Sequence, residues 1–152
     1  MKTGSVNTGS VKTWVIRASG IVRLYPYLSP AHARLLARVG VALLFLLHAV
    51  VRVVQGTIPS FAAFMENVGF PNGTVTVWAI TLAELGASAM LALGRNVRIA
   101  AFVLSAIAIG GIALIHRHFG WFVGEHGTGG SEYSVALLII LVIIAATEPQ
   151  QA

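Results

Sequence analysis

The stretch LLARVGVALLFLLHAVVRVVQ, residues 35–55, decides the fold. A helix that crosses the hydrocarbon of a bilayer needs roughly 20 predominantly apolar residues. This stretch supplies them, interrupted only by Arg38, His48, Arg52 and Gln55. Three further segments share its character, at about 75–93, 97–116 and 132–147. The last is the shortest and is expected to cross thinned bilayer or to begin a turn earlier. The composition agrees: 152 residues that are 57% hydrophobic and 10% charged, where soluble domains hold about 25% charged residues. A chain this poor in polar side chains cannot cover a core of its own against water, so a soluble globular domain, a disordered tail and a collagen-like fibre are excluded. The expected fold is all-α, an integral membrane antiparallel four-helix bundle.

Local signals set the boundaries. Ser29 followed by Pro30 reads as an N-cap with proline at the first helical position. Gly56 and Pro59 stop that helix. Gly94 stands where a C-cap glycine belongs, so Arg95 and Asn96 leave only a tight turn and the flanking segments must be antiparallel neighbours. Ser131 is expected to cap the fourth helix with Glu132 in its first turn. Phe61, Phe64, Met65 and Val68 recur at i, i+3, i+4 and i+7, which predicts a short amphipathic helix over 60–68, in the first outer loop, ended by Gly69. Ala79, Ala83 and Ala87, then Ala101 with Ser105 and Ala106 with Gly110, read as close helix packing. Asn72-Gly73-Thr74 matches a glycosylation sequon and also reads as a capping turn. By these signals residues 1–33 form a basic N-terminal segment, lying on an anionic membrane surface or loosely ordered. Residues 34–148 form the four-helix domain, and 149–152 a short tail.

Orientation follows from basic residues near the segment ends. Lys2, Lys12, Arg17, Arg23, Arg34, Arg38, Arg95 and Arg98 fall on one side, and Arg117 alone on the other. Eight against one places both termini and the short turn in the cytoplasm and the long loops outside, in a plasma membrane; a cleaved signal at the start is not expected.

The chain has no cysteine and no aspartate. Disulfide frameworks, thiolate metal sites and dithiol chemistry are therefore excluded. No catalytic serine motif, phosphate loop or dinucleotide fingerprint occurs, Gly127-Thr128-Gly129-Gly130 reads as a linker, and nothing points to nucleic acid. What remains is a set of ionisable residues inside the apolar segments, each of which costs about 2.5–3.5 kcal/mol at the helix centre on insertion scales. His48 and Arg52 share a face of the first segment, with Gln55 about one turn on. Glu84 lies mid-way along the second, flanked by Thr81 and Ser88. With a rise of 1.5 Å per residue, Arg52 and His48 sit roughly 5 and 10 Å inside the outer boundary and Glu84 roughly 14 Å. His116, Arg117 and His118 end the third segment on the same side. Glu84 reads either as a partner of Arg52 or as a carboxyl that meets a ligand, and Arg52 either pairs or reaches outward along its stem. A bis-histidine haem on His48 and His116, and a metal site on His118, Glu125, His126 and Glu132, are set aside for unmatched depth and irregular spacing.

Four stretches resemble the DoxX family: Leu47-His48-Ala49-Val50-Val51-Arg52 through Gly56; Phe64 to Pro71 with its Asn-Val-Gly-Phe-Pro ending; Ala83-Glu84-Leu85-Gly86 followed by Leu93-Gly94 and Arg98; and Gly129-Gly130-Ser131-Glu132-Tyr133. Ala49 stands where the family usually has glycine and Arg52 where it often has lysine. The resemblance implies a four-helix membrane bundle and places His48, Arg52, Glu84, Glu132 and Tyr133 on recurrent polar positions. With His116 these are the candidate pocket residues. It also implies association with quinone-linked redox complexes. The expected protein is an accessory or quinone-interacting subunit with an outward-facing polar pocket. No covalently bound cofactor and no resident metal are expected. Its expected partners are membrane lipids, a quinone or other small amphiphile, and redox-complex proteins or further copies of itself. The alternatives are a transporter or lipid-binding bundle and a purely structural subunit. Whether it catalyses a reaction of its own is left open.

Because no native thiol competes, single cysteines report topology directly. A cysteine at Asn72 or Gly129 is expected to react with an impermeant reagent from outside the cell and one at Asn96 is not; reaction at position 96 alone reverses the assignment.

Overall fold

The computed structural model describes residues 28–123 and 129–149. The basic N-terminal segment, Glu125 and His126 lie outside the described residues, apart from Leu28 to Ala33. The chain divides after His32, and the bundle is the unit Ala33–Ala152. It is all-helical among the described residues: α1 Pro30–Val54, α2 Ile58–Asn67, α3 Gly73–Leu93, α4 Val97–Leu114, a one-turn 3-10 helix His116–Phe119, and α5 Glu132–Thr147. The helices α1, α3 and α4 are long and apolar enough to cross a membrane, and α5, at 16 residues, is a shorter apolar helix. The protein is a multi-pass membrane bundle with α2 lying between α1 and α3 in the chain.

The helix ends follow from local chemistry. Ser29 Oγ accepts the His32 N–H at 3.3 Å, so the expected cap opens α1 at Pro30. Gly94 adopts φ 72°, and the N–H groups of Gly94 and Arg95 reach the carbonyls of Leu91 and Met90 at 3.3 and 3.0 Å. That crossed pair is a Schellman cap, and it turns the chain directly from α3 into α4. Gly69, with φ 99°, ends α2 where glycine was expected to.

Four details depart from the sequence reading. The third spanning helix stops at Leu114, short of His116, because the chain tightens into the 3-10 turn that follows Ile115. Ser131 occupies the N-cap position of α5 without capping it; its hydroxyl donates to the Gly120 carbonyl at 3.4 Å and ties the preceding loop instead. The buried face of α2 is Ile58, Ala62 and Met65, with Val68 exposed, so the apolar stripe is rotated from the one expected. In α3 the inward face is Val77, Thr81, Glu84, Ala87, Ser88 and Leu91, which leaves Ala79 and Ala83 pointing outward. Their four-residue spacing therefore does not serve packing within this chain, and only Ala87 of that series is buried.

Two ends of the bundle differ. Near the Gly94 turn, Val41, Ala42 and Phe45 of α1 pack with Ala87 and Leu91 of α3, with Val97, Ala101 and Leu104 of α4, and with Leu141 and Ile144 of α5. At the loop end a separate cluster joins Ile58, Ala62 and Met65 of α2 to Val77 of α3. The backbones approach most closely between α4 and α5, α2 and α3, and α3 and α4, while α1 stands further off. The small residues of α4, Ala100, Ala101 and Ala108, allow its close approaches.

Gly73 is the tightest point at the loop end. A Cβ there would overlap the Ala62 carbonyl and crowd the Glu66 side chain, whose Oε1 accepts the Gly73 N–H at 2.9 Å. Gly73→Ala is expected to lower stability in detergent by about 1–3 kcal/mol. Gly86→Ala, where a Cβ meets open space, is expected to leave it unchanged or raise it by up to about 1 kcal/mol. Thermal melts of the two variants check this; equal effects would contradict the packing described.

Candidate functional site

The most buried charged feature is an ion pair between the first two spanning helices. Arg52, 9% exposed, reaches across from α1, and its Nη2 lies 3.0 Å from Oε2 of Glu84, which is 1% exposed. Its Nη1 donates to Thr81 Oγ1 at 2.9 Å. Thr81 accepts this bond because its own hydroxyl hydrogen goes to the Val77 carbonyl at 2.8 Å. The guanidinium also lies over the Phe61 ring of α2, 5.4 Å from its centre. Finally the Arg52 carbonyl, near the end of α1, accepts both the N–H and the hydroxyl of Thr57 at 3.2 Å each. One arginine thus joins α1, α2 and α3.

Magnitudes explain the pairing. A charge at the centre of a membrane helix costs about 2.5–3.5 kcal/mol, a figure that applies to Glu84 mid-way along α3 and is an upper bound for Arg52 in the last turn of α1. An attraction of about 4 kcal/mol at 4 Å and intermediate dielectric, with a charge-assisted bond of about 1.5–3 kcal/mol to Thr81, offsets most of that. Neither charge alone has this compensation. The pair is nonetheless incompletely satisfied: Glu84 Oε2 receives no well-aimed hydrogen bond despite the 3.0 Å approach, and the Ser88 hydroxyl one turn deeper has no partner.

Beside the pair lies a cavity of about 1010 Å³. Its walls are chiefly apolar: Leu44, Leu47 and Val51 of α1, Phe61 and Met65 of α2, Ala106, Ile107 and Gly110 of α4, and Leu137 of α5. Its polar groups are His48, Arg52, Thr57, Glu84, His116 and Ser134. Leu44, Leu47 and Val51 line it and are still 44–58% exposed, so it opens sideways along α1 toward the lipid. The His116 ring lies against Gly111, its Cδ2 and Nε2 in ordinary contact distance, 3.6 Å, of where a Cβ there would be. That is the consequence of α4 ending early: the 3-10 turn folds His116 back over the end of its own helix. Burial, and behind it the neighbouring His48, hold the His116 imidazole below its usual pKa.

The sequence-selected residues separate accordingly. His48, Arg52, Glu84 and His116 come together on the cavity. Glu132 and Tyr133 do not line it. Glu132 Oε1 accepts the Val123 N–H at 3.1 Å and its own N–H donates to the Trp121 carbonyl at 3.1 Å, which ties residues 121–123 to the start of α5. Tyr133 is 63% exposed on the outside of α5. Gln55 is exposed and also lies outside the lining. Sequence reasoning did not assign Phe61 or Thr57 to Arg52; the only available signal was Phe61 on the amphipathic stripe. No group of three metal-binding side chains occurs among the described residues.

The DoxX family model matches residues 33–117, more than half of the chain. The chain belongs to the DoxX family. The match spans α1 through α4 and includes all four residues that meet at the cavity, while α5 lies beyond it. No curated protein and no solved structure matches this DoxX chain.

Arg52→Leu and Glu84→Gln are each expected to lower thermal stability, since each leaves the other group buried without its partner. The double variant should recover part of the loss, with a coupling of about 0.5–3 kcal/mol. Strictly additive losses would mean that the two side chains do not interact.

Proposed function

We propose that this DoxX protein is a quinone-binding accessory subunit of a membrane redox complex, oriented with both ends of the chain in the cytoplasm of a plasma-membrane cell surface. The observation that carries the reading is the cavity, in which long apolar walls open to lipid and end in two imidazoles and a guanidinium. A tailed quinone has the matching chemistry: two carbonyl oxygens that accept hydrogen bonds and a hydrocarbon chain. The imidazoles of His48 and His116 each have an N–H to donate, and Arg52 has donors beyond the one that Thr81 takes. The sideways opening suits a ligand that arrives through the bilayer, since its tail need never cross water. The side chains hold and orient the head group; the electron transfer itself belongs to the quinone and to redox centres of partner proteins. The bias of eight basic residues to one supports this orientation, in which the cavity lies on the outer side.

Equilibrium binding of a decyl-tailed benzoquinone to the protein in lipid nanodiscs tests the reading. Saturable binding is expected, weakened by roughly tenfold in His48→Ala and in His116→Ala, the effect of one lost hydrogen bond of about 1–1.5 kcal/mol. Absence of saturable binding, or binding indifferent to both substitutions, would overturn it. Saturable binding of phospholipid in the same cavity with none of quinone would favour the lipid-carrier alternative.

A further inference from the structure

At the opposite end from the cavity, four arginines gather around the Gly94 turn: Arg34 and Arg38 one helical turn apart on α1, Arg95 in the turn, and Arg98 in the first turn of α4. Arg38 fixes the arrangement. Its guanidinium lies against Gly94, where an added Cβ would come within 2.8–2.9 Å of Nη1, Nη2 and Cζ. Its Nε is buried without a hydrogen-bond partner. One side-chain carboxylate serves this cluster among the described residues. Glu148, just past α5, has Oε1 3.6 Å from Arg38 Nη1, too long for a hydrogen bond, and its backbone carbonyl accepts Arg98 Nη2 at 3.1 Å. No Asp or Glu precedes Glu66 in the sequence, so the N-terminal residues bring no further carboxylate to this end. Four arginines therefore share this end of the bundle with one side-chain carboxylate, which Arg38 approaches, and Arg34 and Arg95 make no ion pair among the described residues.

The surroundings are apolar. Leu36 of α1 and Leu93 at the end of α3 are 62% and 73% exposed, and Leu35 and Ile99 are exposed beside them. Arginines at the same end of the bundle as exposed hydrocarbon, with Leu35 on the Arg38 face of α1 and Leu93 next to Gly94, match a molecule whose charge is negative and whose body is acyl chain. Arginine suits it better than lysine because its planar fork takes phosphate oxygens two at a time.

We propose that the Arg34, Arg38, Arg95 and Arg98 cluster is a binding site for the phosphate of an anionic phospholipid, whose acyl chains lie along Leu35 and Leu93. Arg38 and Arg98, held by Glu148, form the fixed floor of the site, and Arg34 and Arg95 close on the phosphate. A free phosphate satisfies the charges and leaves the exposed leucines uncovered, which is why the lipid is the occupant. The bound lipid bridges α1 to the α3–α4 turn at the end where α1 otherwise relies on Arg38 alone for polar contact.

Native mass spectrometry of the full chain with added lipids tests this, with inorganic phosphate as a competitor. Phosphatidylglycerol is expected to bind roughly tenfold more tightly than phosphatidylcholine, the scale set by one or two arginines near an anionic surface. The Arg34→Gln/Arg95→Gln variant should lose most of the preference for phosphatidylglycerol, and Arg34→Lys/Arg95→Lys should keep most of it. Benzoquinone binding at the distant cavity should be unchanged in both, which separates a failed site from a failed fold. Equal affinity for the two lipids in the unaltered protein, or an undiminished preference in the glutamine variant, would overturn the proposal. Displacement of phosphatidylglycerol by millimolar phosphate would overturn the lipid as occupant.

Discussion

The Arg52–Glu84 pair is the interaction on which the rest of this bundle depends. Helices in lipid gain nothing from burying apolar side chains against one another, so their association rests on close packing and on polar contacts that have no alternative partner in hydrocarbon. In this chain α3, α4 and α5 pack closely through small residues, whereas α1 stands off. Two arginines hold it. Arg38 lies on the Gly94 turn at one end and Arg52 reaches Thr81, Glu84 and Phe61 at the other. They are 14 positions apart, about 21 Å along a helix. Near the first, Val41, Ala42 and Phe45 fill the space between helices. Near the second the space is left open, and that opening is the cavity.

This arrangement gives the charged residues two functions that are not in competition. A buried ion pair is a poor source of stability compared with apolar packing of the same volume, because its attraction is largely offset by desolvation. Its value lies in geometry: it fixes the register of α1 against α3 and presents a guanidinium and a carboxylate edge to the cavity without either being free to move away. Phe61 and Thr57 complete the fixing from α2, so the loop helix is part of the site's construction. The imidazoles of His48 and His116 line the same cavity without a comparable restraint, which is why the proposed function gives them the ligand.

The sequence made the bundle legible because a run such as residues 35–55 has no other solution in water or lipid, and because Ser29-Pro30, Gly69 and Gly94 mark ends by steric rules that tertiary contacts do not override. It also made His48, Arg52 and Glu84 legible as a set, since the cost of an isolated charge in lipid requires partners at matching depth. Other features were not readable. Ala79, Ala83 and Ala87 have the spacing of a packing stripe, yet the inward face of α3 is decided by where Thr81 and Glu84 must point, and that rotates two of the three alanines outward. Ser131 and Glu132 have the look of a cap, but residues 120–123 offered them the Gly120 carbonyl and the Val123 N–H instead. His116 reached the cavity only because α4 gives way to a 3-10 turn at Ile115, a backbone choice that no residue pattern announces.

The central claim is that the opening beside the ion pair is a ligand site reached from the bilayer. Photoaffinity mapping addresses it most directly, using a benzoquinone whose hydrocarbon tail bears a diazirine, irradiated with the protein in membranes and followed by peptide sequencing. The account predicts adducts confined to Leu44, Leu47 and Val51 of α1 and to the facing positions from Ala106 to Gly111 of α4, suppressed by excess unlabelled quinone. Adducts on the outward face of α3 around Ala79 and Ala83, or labelling that competitor does not reduce, would contradict it.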